Sequence, residues 1–296
     1  KIKDLVIDSK INLHKLEYKK PDLFNDYLPK TENIFHFKDH KITLLYKKNN
    51  FSGKGLGKVK FEKEFDEIEY VFVNKDKDFS LTSNIFLTEL NIKNQKFLKS
   101  FFPGINKDIS LKDHKVKIDY KKNNLTFNGS GNIKIDQEFD RIDYSISKII
   151  NKFNFNIKLD LDNTLLKINY LNYEKDKTVN ANLSFIGSYE KNVGLNLDKI
   201  SIFEKDNRII LNNFLLNKEN KILKIDKADL DYFDVENKKN QFLLERKKND
   251  NYELKGSIFN ANSLISNLLK SKENDDFKIF KNDINLSLKV SEVYID

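Results

Sequence analysis

A tandem duplication constrains this chain more than any other feature. Residues 112–144 repeat residues 38–70 without a gap, an offset of 74 positions. Lys38-Asp39-His40-Lys41 returns as Lys112-Asp113-His114-Lys115, and Tyr46-Lys47-Lys48-Asn49-Asn50 returns as Tyr120-Lys121-Lys122-Asn123-Asn124. Gly55 and Gly57 match Gly129 and Gly131, Lys60 matches Lys134, and Glu64-Phe65-Asp66 match Glu138-Phe139-Asp140. Ile68 and Tyr70 likewise match Ile142 and Tyr144. A unit copied in tandem packs on its neighbour and extends one surface along an axis. That favours an elongated scaffold or binding groove over a single catalytic pocket.

Each copy opens on a short helical pattern. Leu23, Phe24, Tyr27 and Leu28 precede Pro29, and Phe97, Leu98, Phe101 and Phe102 precede Pro103. This spacing makes one apolar stripe on a helix, which proline ends by pushing the residue before it out of the α region. Leu264, Ile265, Leu268 and Leu269 form a third such stripe, with Asn260 or Asn262 as candidate cap. The expected organisation is one segment, 1–296. Copy one covers about 21–94 and copy two about 95–168, further strands occupy 169–259, and 260–296 is the candidate start of another copy.

Elsewhere the dominant period is two. Phe153, Phe155, Ile157, Leu159 and Leu161 alternate with Asn154, Asn156, Lys158 and Asp160, giving a strand with one apolar face. Val116-Ile118-Tyr120, Ala181-Leu183-Phe185, Val193-Leu195-Leu197 and Ile284-Leu286-Leu288-Val290 repeat the pattern. Polar clusters such as Lys48-Asn49-Asn50, Asp162-Asn163, Asp206-Asn207 and Lys248-Asn249-Asp250-Asn251 separate the strands. They predict short connections and antiparallel pairing. Pro21, Pro29 and Pro103 fall at the short helices and never inside a strand pattern. The expected fold is all-β, a repeat-built antiparallel meander forming an elongated, curled sheet with a few short helices. One-sided sheets must cover their apolar faces with each other, with helices or with an apolar ligand. The helices are too few, so a closed sandwich and a ligand-filled groove both stay open.

With 296 residues the chain can bury a substantial core, either as one large all-β domain or as two ordinary ones. Charged residues make up 33% and hydrophobic ones 39%, a balance natural to sheets with one wet face. Lysine, asparagine, isoleucine and phenylalanine abound while Met, Cys and Trp are absent, a bias typical of AT-rich coding. Without cysteine there is no disulfide, thiolate nucleophile or cysteine metal site. No run approaches the roughly 18 apolar residues of a spanning helix, so the segment is expected to face water. A first residue of Lys1 is read as an internal segment or a processed product. The net charge of +8 is spread among interspersed acids, which favours a solvated face over a nucleic-acid patch.

Motifs that carry chemistry fare poorly. Gly53-Lys54-Gly55-Leu56-Gly57-Lys58 resembles a phosphate loop only at a glance, because strand-like Val59-Lys60-Phe61 follows where a helix is needed. Copy two keeps only the Gly-x-Gly pair, read here as a glycine bend or bulge in a curved strand. His40 and His114 are read as turn or surface residues, and no histidine pair has metal-ligand spacing. Asp160/Asp162 and Asp229/Asp231 fall at i, i+2 and read as polar sheet faces rather than a metal-binding pair. No triad, nucleophile elbow or dinucleotide fingerprint is present. The expectation is no enzyme, no metal and no cofactor.

Phe-Phe-Pro at 101–103, the Gly-x-Gly strand at 129–131 and Phe-Asp-x-Ile-x-Tyr at 139–144 form one set of landmarks. Leu-Lys-Gly-Ser-Ile-Phe-Asn-Ala-Asn-Ser-Leu-Ile at 254–265 leads into the third helical stripe. Together these resemble the central region of the AsmA-like family, nearest to its YhdP branch, where a Gly-x-x-Phe-Asp-Ala stretch precedes a short helix. The chain departs from that pattern in having Asn260 at the acidic position and no tryptophan. The resemblance covers most of the chain. It implies a protein anchored in the inner membrane of a Gram-negative bacterium, related to TamB and to bridge-like lipid transfer proteins, whose periplasmic segment is a curled sheet with an apolar concave face. Its implied partner is phospholipid moving between inner and outer membranes, both reached through regions outside this segment, with no nucleic acid. On that reading Phe153, Phe155, Ile157, Leu159, Leu161 and the equivalent pair Phe65 and Phe139 line the groove. The same pattern also builds a sandwich interior. Two other classes remain: a structural or adhesive β-sandwich or solenoid without ligand, and a nucleic-acid or polyanion binder with steeply salt-dependent affinity.

Overall fold

The computed structural model describes residues 5–20, 28, 30–48, 50–76, 78–94, 98–99, 101–190, 193–217, 221–248, 251–263, 265–266 and 284–295. Its strands are β1 (Val6–Lys19), β2 (Ile34–Lys47), β3 (Asn50–Lys60), β4 (Phe65–Lys75), β5 (Asp78–Lys93) and β6 (Asp108–Lys121). There follow β7 (Asn124–Lys134), β8 (Phe139–Ile149), β9 (Lys152–Leu161), β10 (Leu166–Ile168), β11 (Tyr173–Lys175) and β12 (Ala181–Glu190). The last are β13 (Gly194–Glu204), β14 (Asn207–Leu216), β15 (Ile222–Phe233), β16 (Lys239–Arg246), β17 (Asn251–Asn260) and β18 (Asn285–Tyr294). Among the described residues, sixteen strands form one sheet in strict sequence order, interrupted only by the separate hairpin β10–β11. The sheet is open, with β1 and β18 at its edges. The all-β meander expected from the period-two pattern is thus the fold. Each repeat copy supplies four consecutive strands of the large sheet, β2 to β5 and β6 to β9.

Tight turns follow from local chemistry. Lys122 and Asn123 both take positive φ, 49° and 66°, which makes the two-residue link between β6 and β7 a turn whose twist matches its strands. Lys48 in the first copy repeats that conformation at φ 51°. One pair departs from the expected antiparallel plan. β18 runs parallel to β17, with Tyr252 opposite Leu286 and Leu254 opposite Leu288. A parallel neighbour needs a crossover rather than a turn, and the link between Asn260 and Asn285 supplies its length.

Of the helical stripes, Leu23, Phe24, Tyr27, Phe97, Leu264, Leu268 and Leu269 lie outside the described residues. Leu28 is irregular, and around Leu98 the chain makes one tight turn, with Phe101 N and Phe102 N both donating to Leu98 O at 3.0 and 2.8 Å. Ile265 N donates to Ala261 O at 2.9 Å, and Asn260 Oδ1 caps that turn by accepting from Asn262 N at 3.2 Å.

The chain divides into two compact units. The first comprises Lys1–Asn94, Asn106–Ile135 and Arg141–Ile150, and the second Gln95–Ile105, Asp136–Asp140 and Asn151–Asp296. In the first, Ile85, Leu87 and Val116 form a buried cluster against Phe61, Ile68, Leu90 and Ile118. In the second, Leu159, Leu161, Leu183, Ile202, Ile209 and Leu230 are buried on one sheet face.

Candidate functional site

The second unit shows how the apolar face is built. Along β9 the odd-numbered residues share one face, and burial along it is graded. Phe153, Phe155 and Ile157 are half-buried, Leu159 is buried and Leu161 is 0% exposed. Register carries the stripe across to β12, pairing Phe153 with Tyr189, Phe155 with Gly187, Ile157 with Phe185, Leu159 with Leu183 and Leu161 with Ala181. The next strands continue it through Leu195 opposite Tyr189, and through Phe214 opposite Leu197. Leu195 and Phe214 are half-buried, and Tyr189 is exposed. This end of the face is aromatic and open.

The other end is closed by the hairpin β10–β11 and the loop leading to it. Leu166, Tyr173 and Lys175 of that hairpin are fully or almost fully buried. Tyr173 packs edge-on against Tyr232, with ring centroids 5.9 Å apart at 89°. The Tyr173 hydroxyl donates to the Glu204 carboxylate, and the Tyr232 hydroxyl donates to Leu171 O at 2.8 Å. Burial drives both phenol pKa values up, so both stay neutral donors. The Lys175 ammonium donates to Thr164 O at 3.0 Å. Burial lowers its pKa, against the opposing pull of Asp140, Asp162 and Glu204. A polar plug therefore seals one end of a face whose other end stays open.

The first unit repeats the gradient. Its buried cluster gives way toward the β2–β3 and β4–β5 turns to half-buried rings. Phe51 and Phe72 lie 5.2 Å apart, and Tyr70 stacks on Phe72 at 6.3 Å.

Two of the expected lining residues fall elsewhere. Register places Phe65 opposite Lys60 and Glu67 opposite Lys58, while Ile68 and Tyr70 lie opposite Gly57 and Gly55. Phe65 thus projects from the face opposite to Ile68 and Tyr70. It is 39% exposed, with the Lys38 ammonium 5.8 Å from its ring centroid. Phe139, its equivalent, is half-buried beside the inward Asp140. The cause is parity. In Phe-Asp-x-Ile-x-Tyr the aspartate, not the phenylalanine, is in phase with the isoleucine and tyrosine. Asp66 and Asp140 are indeed buried, and Asp66 Oδ1 accepts from Thr88 N at 2.7 Å. At the position 74 residues on, Asp140 Oδ1 accepts from Asp162 N at 2.9 Å.

The duplicated histidines are also corrected: they are core residues, His40 2% and His114 1% exposed. Each sits at a bulge, where the strand register slips between Lys38 and Lys41 and again between Lys112 and Lys115. Asp39 and Asp113 take positive φ there, 55° and 54°. The turned-in imidazoles donate from Nε2 to Lys58 O at 3.0 Å and to Asn132 O at 2.9 Å, which places a ring proton on Nε2. His40 Nδ1 then accepts from the Tyr70 hydroxyl at 3.1 Å. The Gly-x-Gly pair provides the space. A Cβ on Gly57 would lie 2.5 Å from His40 Cδ2, and one on Gly55 would lie 2.5 Å from Tyr70 Cζ. These glycines therefore admit two rings rather than bend a strand, and the bulge lies on the histidine strand instead.

His114 carries a pH prediction. Burial holds its pKa below the ordinary 6.5, against the raising effects of its bond to Asn132 and of the Asp113 charge. The unfolded chain takes up a proton that the native state refuses. This contribution is therefore complete above 6.5 and is lost as pH falls from there toward the lowered native value. Urea midpoints should drop between about pH 7.5 and about pH 5.5, and His114→Gln should reduce the drop. An equal drop in the variant would assign the effect to other groups.

The paired acids sit on polar faces. Asp229 takes both Arg208 Nη atoms at 3.0 and 2.9 Å, and Asp231 pairs with Lys239. No helix among the described residues is long and apolar enough to cross a membrane. Comparison with protein-family models, with curated proteins and with solved structures found no match.

Proposed function

We propose that this chain is a section of an apolar β-groove that shelters phospholipid acyl chains, part of an AsmA-like protein carrying lipid across a periplasm between inner and outer membranes. The observation that carries this reading is the aromatic, half-open end of the apolar face, with Phe153, Phe155, Tyr189, Leu195 and Phe214 facing outward from the buried Leu159 and Leu161. A face meant only as core has no reason to leave this many large side chains partly wet. Sheltering one acyl chain at about 0.8 kcal/mol per methylene gives on the order of 10 kcal/mol before entropy and incomplete enclosure are subtracted. A held chain can therefore slide along apolar side chains while its head group stays in water. The role is one of binding and passage, with no bond made or broken.

The test is uptake of fluorescent phosphatidylethanolamine from vesicles by the purified chain, followed by native mass spectrometry. Phe155→Asp with Ile157→Asp removes two apolar side chains worth about 1.5–3 kcal/mol each when buried, so lipid retention should fall at least about tenfold with circular dichroism unchanged. A folded, lipid-free protein that takes up no phospholipid would reject the groove and leave a structural or adhesive β-sheet protein without a ligand as the better reading.

A further inference from the structure

The open edge of β1 is the same structural position as an edge that is paired elsewhere in the chain. Residues 6–19 of β1 stand 74 positions before residues 80–93 of β5, with Ser9, Ile11, Leu13, Leu16 and Lys19 matching Ser83, Ile85, Leu87, Leu90 and Lys93. The ladders agree as well. Val6 pairs with Lys47 and Lys19 with Ile34, while Ser80 pairs with Lys121 and Lys93 with Asp108. Both ladders skip one position, His14 in β1 and Thr88 in β5.

What differs is the far edge. β5 pairs there with β4, placing Ile68 opposite Ile85 and Tyr70 opposite Ser83. At the skipped position Thr88 N donates to Asp66 of that same strand at 2.7 Å. Among the described residues, no strand pairs with this side of β1. The consequence shows in burial, for Ile85 is 6% exposed and its counterpart Ile11 is 40%. Ile7, Leu16 and Tyr18 of β1 are exposed too, where Leu81, Leu90 and Ile92 of β5 are partly covered. An edge strand of this length with a row of exposed apolar side chains is a template for strand addition.

We infer that the free edge of β1 is a binding site for one antiparallel strand of the Phe-Asp-x-Ile-x-Tyr type, supplied by a further unit of the same repeat. Its isoleucine lies opposite Ile11, its tyrosine opposite Ser9, and its aspartate accepts from the His14 N–H as Asp66 does from Thr88. The aspartate sets the register, because a slip of one residue turns the carboxylate to the other face and leaves the skipped N–H unpaired. This inference stands on the repeat and is independent of any lipid.

The probe is a synthetic peptide of residues 64–75, added to the full chain and followed by hydrogen exchange. The peptide should slow exchange of β1 amides, His14 included, and leave β18 unchanged. The peptide with D66A should bind about tenfold more weakly, the loss of one charge-assisted hydrogen bond. Ile11→Lys in the full chain, an exposed site where folding is not at risk, should abolish protection. Absence of β1 protection, equal binding by the D66A peptide, protection of β18 instead, or β1 already protected by self-association of the chain would each overturn the assignment.

Discussion

Gly131→Ala is expected to destabilise the protein by about 2–3 kcal/mol, at the upper end for overpacking a core. The new methyl would lie 2.7 Å from His114 Cγ and 2.9 Å from His114 Cα, and the second of these is backbone. The ring has no free direction, since it is buried and its Nε2 is tied to Asn132 O at 2.9 Å. Denaturant unfolding measures the loss. The decisive comparison is a double-mutant cycle with His114→Ala: if the glycine exists to admit the ring, the second change recovers much of the cost of the first. Gly57→Ala with His40→Ala should behave alike, because a Cβ there meets His40 at 2.5 Å. A Gly131→Ala protein within about 0.5 kcal/mol of the parent would refute this role, since that is the range of unremarkable surface substitutions.

Leu161→Ala should cost about 3–4 kcal/mol, within the range for emptying a well-packed leucine site. Leu161 is fully buried where the face closes, near the hairpin that also buries Leu166 and Tyr173. Phe155→Ala on the same strand face should cost less, about 1–2 kcal/mol, because the ring is only partly buried and less cavity is created. Phospholipid retention should rank the other way, with Phe155→Ala losing more than Leu161→Ala relative to its stability cost. Paired unfolding and lipid-retention measurements on the two variants decide it. If both properties track burial alone, the whole face is core and the open end carries no ligand.

Legibility in the sequence followed the strength of each local signal. Phe153 to Leu161 read correctly as one face because five apolar residues in strict alternation leave only one arrangement. Phe65 and Phe139 lie off the lining expected of them, and parity already separates Phe65 from Ile68 and Tyr70 and Phe139 from Ile142 and Tyr144. Hydropathy alone favours the inward side for a large apolar residue. Asp66 and Asp140 face inward because each satisfies a backbone N–H, that of Thr88 at the skipped ladder position and that of Asp162 just past the end of β9, a partner that no hydropathy pattern displays. The histidines, which the sequence places at turns or on the surface, are buried for a similar reason. Their burial depends on a bulge in one strand and a Gly-x-Gly pair in the next, which meet only when the strands pair.

The sequence by itself determined the duplication, the strand periodicity, most of the turns and therefore the meander, because these depend on contacts between residues close along the chain or on its exact repetition. Only the tertiary structure decided where the apolar face is sealed and where it stays open. It also decided that β18 pairs in parallel, and that one copy of a duplicated edge is covered by β4 while the edge of β1 meets no strand among the described residues. Each of these depends on which strand or hairpin comes to lie beside a residue, and that neighbour is distant in sequence, so no local pattern encodes it.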